Sequence, residues 1–415
     1  MKIKIPQADF SRALLASGKS ILPRANLPIL ANVLIKAAGK ELELLATNLE
    51  TATRVVLESK VESGGEATVN GKTLFEFISQ LPEGEIIIEK LGEELVVSCK
   101  GYSGRFTTMP AEEFPAIPKV EKGILIELDC DSFVNGVSRV VFSAAQDEGR
   151  PILTGVLCDL AKSRLKMVAT DGYRLSFEEI NAKGANASSS IKFNIPAKAL
   201  GEFAKIIIER GMVGEEANKG DSRNFSLMVS EGLNQVSFKL GGHNGKDAAE
   251  GPLHSEASEP RPKGREQVEF TSRLIEGEFP NWQKIIPGSF NTKVKIAKDE
   301  FIKLVRIASI FARDAGNIVK LKFEPSAGGS GRGGKFSVNA ASSQTGSSEA
   351  ASDVEIEGKG GEMAFNFRYL LEVLAQVPGN EVYFEMNESL NPGKLTTVDP
   401  KDPFFHIIMP VRLQS

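Results

Sequence analysis

The chain has 415 residues, 41% of them hydrophobic and 25% charged, with a formal net charge of −4. Such a composition fits a globular protein of two to four domains at roughly 100–200 residues each; it excludes a fibrous or disordered chain, and any nucleic-acid contact must come from a local basic surface. Cys99, Cys130 and Cys158 cannot all pair and show no CxxC spacing, Met1–Phe10 has no signal-like leader, and no apolar run reaches the ~20 residues of a membrane span, so reduced thiols in a cytoplasmic protein are expected.

In chain order, a short strand leads into a helix opening at Asp9-Phe10. Pro28–Leu34 reads as a strand and Leu42–Thr47 as its partner. A second helix follows at Leu74–Ile78, then a hairpin of Glu85–Lys90 with Leu95–Lys100, then a proline-bearing strand at Phe106–Pro110. The same order then recurs. A helix opens at Ser132-Phe133, and Pro151–Leu157 with Leu165–Thr170 closely echoes the earlier strand pair, each second strand ending in Ala-Thr. Leu200–Ala204 supplies the next helix, Asn224–Val229 with Gln235–Leu240 the hairpin, and Phe270–Pro280 the closing strand. A third, weaker copy opens at Glu300-Phe301, where Phe301, Leu304, Val305, Ala308 and Phe311 form one apolar stripe at steps of three and four. Ile318–Phe323, Lys335–Ala340, the helix at Leu370–Leu374, the hairpin Glu381–Met386 with Lys394–Val398, and His406–Pro410 complete it.

The order predicts an α+β protein of three tandem units, each with two helices packed on antiparallel sheets. The expected boundaries are 1–121, 122–291 and 292–415. Two loops interrupt the pattern: 241–265, rich in Gly, Ser, Glu, Pro and Lys, and the Gly-rich 325–334.

No constellation for catalysis stands out. Gly329–Gly334 matches GxGxxG but leads into a strand, where a dinucleotide site needs a helix. Gly71-Lys72-Thr73 lacks the first glycine of a phosphate loop, because position 66 is Glu66. Of the histidines His243, His254 and His406, two fall in the long insert, which disfavours a metal site or a triad. A non-enzyme without metal or cofactor is expected.

Basic residues recur on the polar side of the predicted helices: Lys72 and, in the turn after the first helix, Arg24; then Arg139, Lys198 and Lys205; then Lys303 and Arg306. A solvated helix face explains each one singly. Their recurrence across the units suits phosphate contact that reads no sequence.

Four segments then carry a resemblance over essentially the whole chain: Arg24–Leu30, Val168–Leu175, Gly277–Pro280 and Met409–Leu413. In this order and spacing the chain resembles the bacterial sliding clamp, the beta subunit of DNA polymerase III. The resemblance implies a head-to-tail homodimer that closes into a ring around duplex DNA, tethering the replicative polymerase and serving the clamp loader and other repair and replication proteins. It also implies one peptide pocket per chain, between the second and third units: Leu153, Thr170, Gly172, Tyr173, Arg174, Leu175, Pro280, Lys284, Ile285, Met409, Pro410, Val411, Arg412 and Leu413. Arg174 and Arg412 would meet polar or acidic peptide groups. Tyr173 stands where the family commonly has His and Lys284 where it commonly has Arg, while Gln414 and Ser415 extend past the usual terminal Leu. The subunit contact would pair Phe106 with Ile310 and Phe311. The alternative is a peptide-binding scaffold that does not encircle DNA.

Overall fold

The structure is a computed structural model that describes residues 1–22, 27–117, 119–147, 149–184, 190–214, 223–241, 266–326 and 333–412. Six α-helices lie among the described residues: α1 (Gln7–Ser17), α2 (Gly71–Gln80), α3 (Cys130–Val140), α4 (Ala197–Glu209), α5 (Lys298–Ala312) and α6 (Phe367–Gln376). Every one follows directly on a strand. The polar residue at the junction supplies the cap where the sequence allows it. Asn70 accepts the Thr73 amide at 3.0 Å, Asp129 the Ser132 amide at 2.8 Å, and Asn366 the Arg368 amide at 3.0 Å. The helix starts expected at Asp9, Ser132 and Glu300 therefore fall two residues too late, since those residues sit within the first turn.

The chain divides into two units. The first comprises Met1–Val134, Ala182–Asn186 and Ala199–Leu274. It holds a five-stranded sheet that ends on the strand Tyr102–Thr107, and an eight-stranded sheet. Within the latter, the strand Gln267–Arg273 pairs antiparallel with Thr51–Glu58, from Gln267 opposite Val56 to Ser272 opposite Thr51. Its core gathers Phe133, Phe203, Phe225, Phe238 and Phe270, with Phe133 edge-on to Phe225 at 4.9 Å.

The second unit comprises Asn135–Asn181, Ala187–Lys198 and Ile275–Ser415. It carries one twelve-stranded sheet. Near its middle, the strand Phe405–Ile408 pairs antiparallel with Arg174–Asn181, Arg174 opposite Ile408 and Phe177 opposite Phe405. This pairing matches the one in the first unit: the last strand of one repeat joins the fourth strand of the repeat before it. Phe301, Phe323, Phe336, Phe365 and Phe384 anchor this unit's larger core.

Two further sequence expectations change. Pro28–Ala31 and Pro151–Thr154 are 3-10 turns, and the strands begin at Asn32 and Gly155. Proline has no N–H to give a ladder and its fixed φ suits the first position of a helical turn. The closing strands also stop earlier than expected, at Thr107, Arg273 and Ile408, before their prolines.

The thiols of Cys99, Cys130 and Cys158 are free and buried, and burial raises that of Cys130 to about 12. Among the described residues, no helix is long and apolar enough to cross a membrane.

The strand joint in the second unit encloses a polar chain. The Ser143 and Ser176 hydroxyls hydrogen-bond at 2.8 Å, and Ser176 continues to Nδ1 of His406 at 2.8 Å. His406 is fully buried and stacks on Phe142 at 5.6 Å. Burial, and then the charge of Arg174, lower its pKa to about 3, well under the ~6.5 of an unfolded histidine. Between those values the unfolded chain binds the extra proton, so this contribution is complete above ~6.5 and is lost as pH falls toward 3. The urea midpoint is expected to drop as pH is lowered from 7 to 4, and His406→Gln to flatten that dependence; parallel profiles for the two proteins would contradict the assignment.

Candidate functional site

In the second unit, several of the residues expected in the pocket lie on or beside one turn, residues 171–173, between the strands Arg164–Thr170 and Arg174–Asn181. The Asp171 carboxylate accepts the amides of Tyr173 at 2.8 Å and Arg174 at 3.0 Å. The Thr170 hydroxyl donates to the Arg174 carbonyl at 2.6 Å and accepts the Gly172 amide at 3.0 Å. Gly172 has φ +91°, a conformation that L side chains rarely adopt. Held this way, the turn projects Tyr173 into solvent, with 60% of its surface exposed.

The terminal segment is tied beside it. Met409 donates its amide to the Tyr173 carbonyl at 2.8 Å, and Val411 to the Ala364 carbonyl at 2.8 Å. Met409 and Arg412 are exposed, Pro410 and Val411 half-buried. Pro280, Lys284 and Ile285 are exposed on and just before the 3-10 turn Trp282–Ile285. Leu153 is buried in its own 3-10 turn, where its carbonyl accepts the Ala145 amide at 2.9 Å. Leu175 is buried among Leu157, Val168, Phe177 and Ile407, with Phe279, Trp282, Ile286 and Phe405 packed against them.

Several of these neighbours escaped the sequence reading. Phe177 stacks on Phe405 at 4.7 Å and meets Trp282 at 5.5 Å, making an aromatic floor beside Leu175. A signal existed: Leu175 and Phe177 alternate on one strand face, and Trp282 is the single tryptophan of the chain.

Arg174 requires a correction. Its side chain is only 7% exposed. Nε donates to Asp171 at 3.0 Å, Nη2 to the Phe142 carbonyl at 2.6 Å, and Nη1 forms an ion pair with Glu372 on α6. The guanidinium also lies 4.3 Å from the centre of the Tyr369 ring. It is committed to holding the turn, and Arg412 is the exposed arginine of the set.

Arg139 requires another. Expected on a basic helix face, it turns inward, donating to Glu178 at 2.8 Å and to Asp402 at 3.1 Å, above the Phe404 ring. Burial holds the Glu178 carboxyl above its ordinary range, with Arg139 opposing that shift. A cation consumed by two shielded carboxylates is a poor phosphate ligand.

The other basic candidates among the described residues are exposed. Lys72 lies near Glu76 at 3.8 Å, Lys205 near Glu202 at 2.9 Å and Lys303 near Glu300 at 3.6 Å, all within one helical turn. Such surface pairs are worth ~0–1 kcal/mol and yield readily to a competing anion. Lys198 and Arg306 are also exposed. Arg24, Leu413, Gln414 and Ser415 lie outside the described residues, as do His243, His254 and the greater part of both inserts. No group of three or more His, Cys, Asp or Glu placed to hold a metal occurs among the described residues.

Three domain models of one family match the chain: the DNA polymerase III beta subunit N-terminal domain over residues 1–118, its central domain over 127–216 and its C-terminal domain over 283–412. The chain is 27% identical to a beta sliding clamp of Synechocystis and 28% identical to one of Streptomyces coelicolor, each covering 100% of both chains. Among solved structures it resembles the DNA polymerase III beta subunit of Thermotoga maritima, with a TM-score of 0.84 at 23% identity, and a DNA polymerase sliding clamp of Bacillus subtilis, with 0.83 at 22%, again over 100% of each chain.

Two substitutions separate structural from ligand-binding arginines. Arg139→Ala strands two shielded carboxylates and is expected to cost about 3–5 kcal/mol in urea unfolding. Arg174→Ala is expected to speed hydrogen exchange at the Met409 and Val411 amides. Protection unchanged in the second variant would show that Arg174 does not hold the turn.

Proposed function

The chain belongs to the DNA polymerase III beta subunit family, and from that membership we propose that two copies close head to tail into a ring around duplex DNA. It is a DNA sliding clamp, built as three tandem clamp units, and the non-catalytic processivity subunit of that polymerase. Tethering by a ring needs no bond to any particular base; contact with phosphates that is weak, plural and indifferent to sequence lets the ring slide.

The observation that carries ring closure is the repeated strand joint. Gln267–Arg273 is added to Thr51–Glu58, and Phe405–Ile408 to Arg174–Asn181. One strand of each kind is left over. Tyr102–Thr107 is the end strand of its sheet, and Gly346 through Val354 pair, among the described residues, on one side only, with Ser342 back through Gly334. An unpaired edge of this length is a template for another chain. Carrying the register of the two internal joints to this third pair sets Phe106 opposite Gly346. Phe311 lies beside that glycine, 3.9 Å from where a Cβ would stand. Ile310, 58% exposed, is next to it. Phe106, Ile310 and Phe311 would then pack together across the interface.

The boundaries we propose for the three units are 1–121, 122–291 and 292–415. Exposed Lys72, Lys198, Lys205, Lys303 and Arg306 are the proposed phosphate contacts, joined by Arg24. The turn at Tyr173, the apolar floor beside Leu175, the turn carrying Lys284 and Ile285, and the segment Met409–Leu413 form the proposed groove for short linear motifs of the polymerase, the clamp loader and other replication and repair proteins. The groove is apolar at its base with few polar groups at its rim, as peptide-binding grooves are. A cytoplasmic location follows from that work.

Light scattering is expected to give the mass of a dimer, and Phe106→Ala with Ile310→Asp that of a monomer. Loaded onto circular DNA, the dimer should stay bound until the circle is cut. Lys198→Glu, Lys205→Glu and Arg306→Glu together should shorten that retention several-fold. A monomeric wild type that never remains on circles, even with a loader, would favour the scaffold reading. Deletion of residues 409–415 is expected to abolish binding of a polymerase-derived peptide while leaving the dimer intact; unaltered peptide affinity would remove the segment from the groove.

A further inference from the structure

The first unit contains a cavity of about 470 Å³ at its own strand joint, between the sheet and the segment after the strand Tyr102–Thr107. A volume of that size lies within the range of small-ligand sites, about 300–1,000 Å³. Strand pairing identifies its floor as the counterpart of the apolar floor in the second unit. Leu34, Leu45 and Ala52 hold the positions that Leu157, Val168 and Leu175 hold there. Arg54 and Glu269 stand opposite one another where Phe177 and Phe405 do. The change from Leu175 to Ala52 removes three carbons from the floor, and the cavity occupies that place.

The charges are ordered. Glu66 faces Lys36, Lys36 faces Glu43, Glu43 pairs with Arg54, and Arg54 faces Glu269, so that sign alternates across adjacent strands. Glu269 is further held by Ser237 at 2.9 Å and Lys239 at 3.4 Å. Within the cavity itself, the ladder contributes three carboxylates against two cations, and Glu112 and Lys119 add one of each sign. The balance favours a ligand cation: each carboxylate has about four lone-pair directions to offer, whereas an anion would have to separate an existing pair. Phe114, Ile117 and the Leu34–Leu45 pair supply an apolar wall beside that floor.

We propose that this cavity is a second ligand site, taking a short peptide segment that carries an apolar residue next to an arginine or lysine. The apolar side chain would fill the space above Ala52, and the cation would lie against Glu269 and Glu43. The two joints of the chain thus share one strand scaffold but select opposite chemistry, an aromatic floor in one and a charge ladder in the other. The site involves neither the DNA-facing residues nor the subunit contact, and it stands or falls apart from the ring.

The test uses the full chain with 13C-labelled leucine and isoleucine methyls, titrated to millimolar acetyl-Phe-Arg-amide and, separately, acetyl-Phe-Glu-amide. The arginine dipeptide is expected to shift the Leu34, Leu45 and Ile117 methyls, with at least fivefold weaker response to the glutamate dipeptide. Ala52→Leu, which fills the cavity with the residue found at the other joint, should weaken binding at least tenfold. Glu269→Gln, which keeps the shape, should weaken it several-fold. No response at these methyls, equal response to both dipeptides, shifts confined to Leu157 and Leu175, or undiminished binding in either variant would overturn the proposal.

Discussion

The pairing of a repeat's last strand with the fourth strand of the repeat before it governs the rest of the molecule. An edge strand exposes a row of unpaired N–H and C=O groups, and such a row must be paired, covered or defended. Here it is paired, twice within the chain. The joints continue each sheet across the repeats and fix the register in which their faces meet. Because side chains alternate across a strand, that register decides which residues share the outer face at each joint. Both grooves are consequences of it: Phe177 beside Phe405 in one, Arg54 beside Glu269 in the other.

Specialisation of the second-unit joint comes from the turn at Asp171–Tyr173. Its geometry is enforced from beneath by Arg174, whose guanidinium reaches the carbonyl end of one helix region at Phe142 and the acidic side of α6 at Glu372. Buried cations are costly to hold and costly to strip of partners. The gain is a turn whose exposed tyrosine and whose carbonyl, accepting Met409, keep fixed positions. Pre-ordering a groove lowers the entropy lost when a peptide settles into it.

Much of this was legible in the residues. Three rounds of strand, helix, strands, helix, hairpin can be read from apolar periodicity, because each copy obeys the same alternation. Pro28 and Pro151 misled the reading locally: an apolar run after proline looks like a strand, and only the missing N–H favours a helical turn first. Arg139 and Arg174 misled it for a different reason. Helical spacing for Arg139 and family resemblance for Arg174 show where a side chain starts, while the partners that turned these two inward, Asp402 and Glu372, lie far along the chain. Phe405 and Trp282 join the groove through the strand joint and the adjoining segment, which sequence spacing alone does not display. The ion-pair ladder was equally hidden, since its two ends, Glu66 and Glu269, sit on strands that are not sequence neighbours of those they pair with.

Because the sheets run across the joints, the unit that recurs in the sequence is not the unit that could be cut out and grafted. A gene fragment ending at residue 121 would carry Thr51–Glu58 without Gln267–Arg273, and one ending at residue 291 would carry Arg174–Asn181 without Phe405–Ile408. Each would present a bare sheet margin, prone to sticking to its own kind. Chimaeras between relatives should therefore be spliced inside a repeat, at loops that leave both partners of a joint from the same parent. At each joint the recurring piece is bound to its neighbour by a shared sheet.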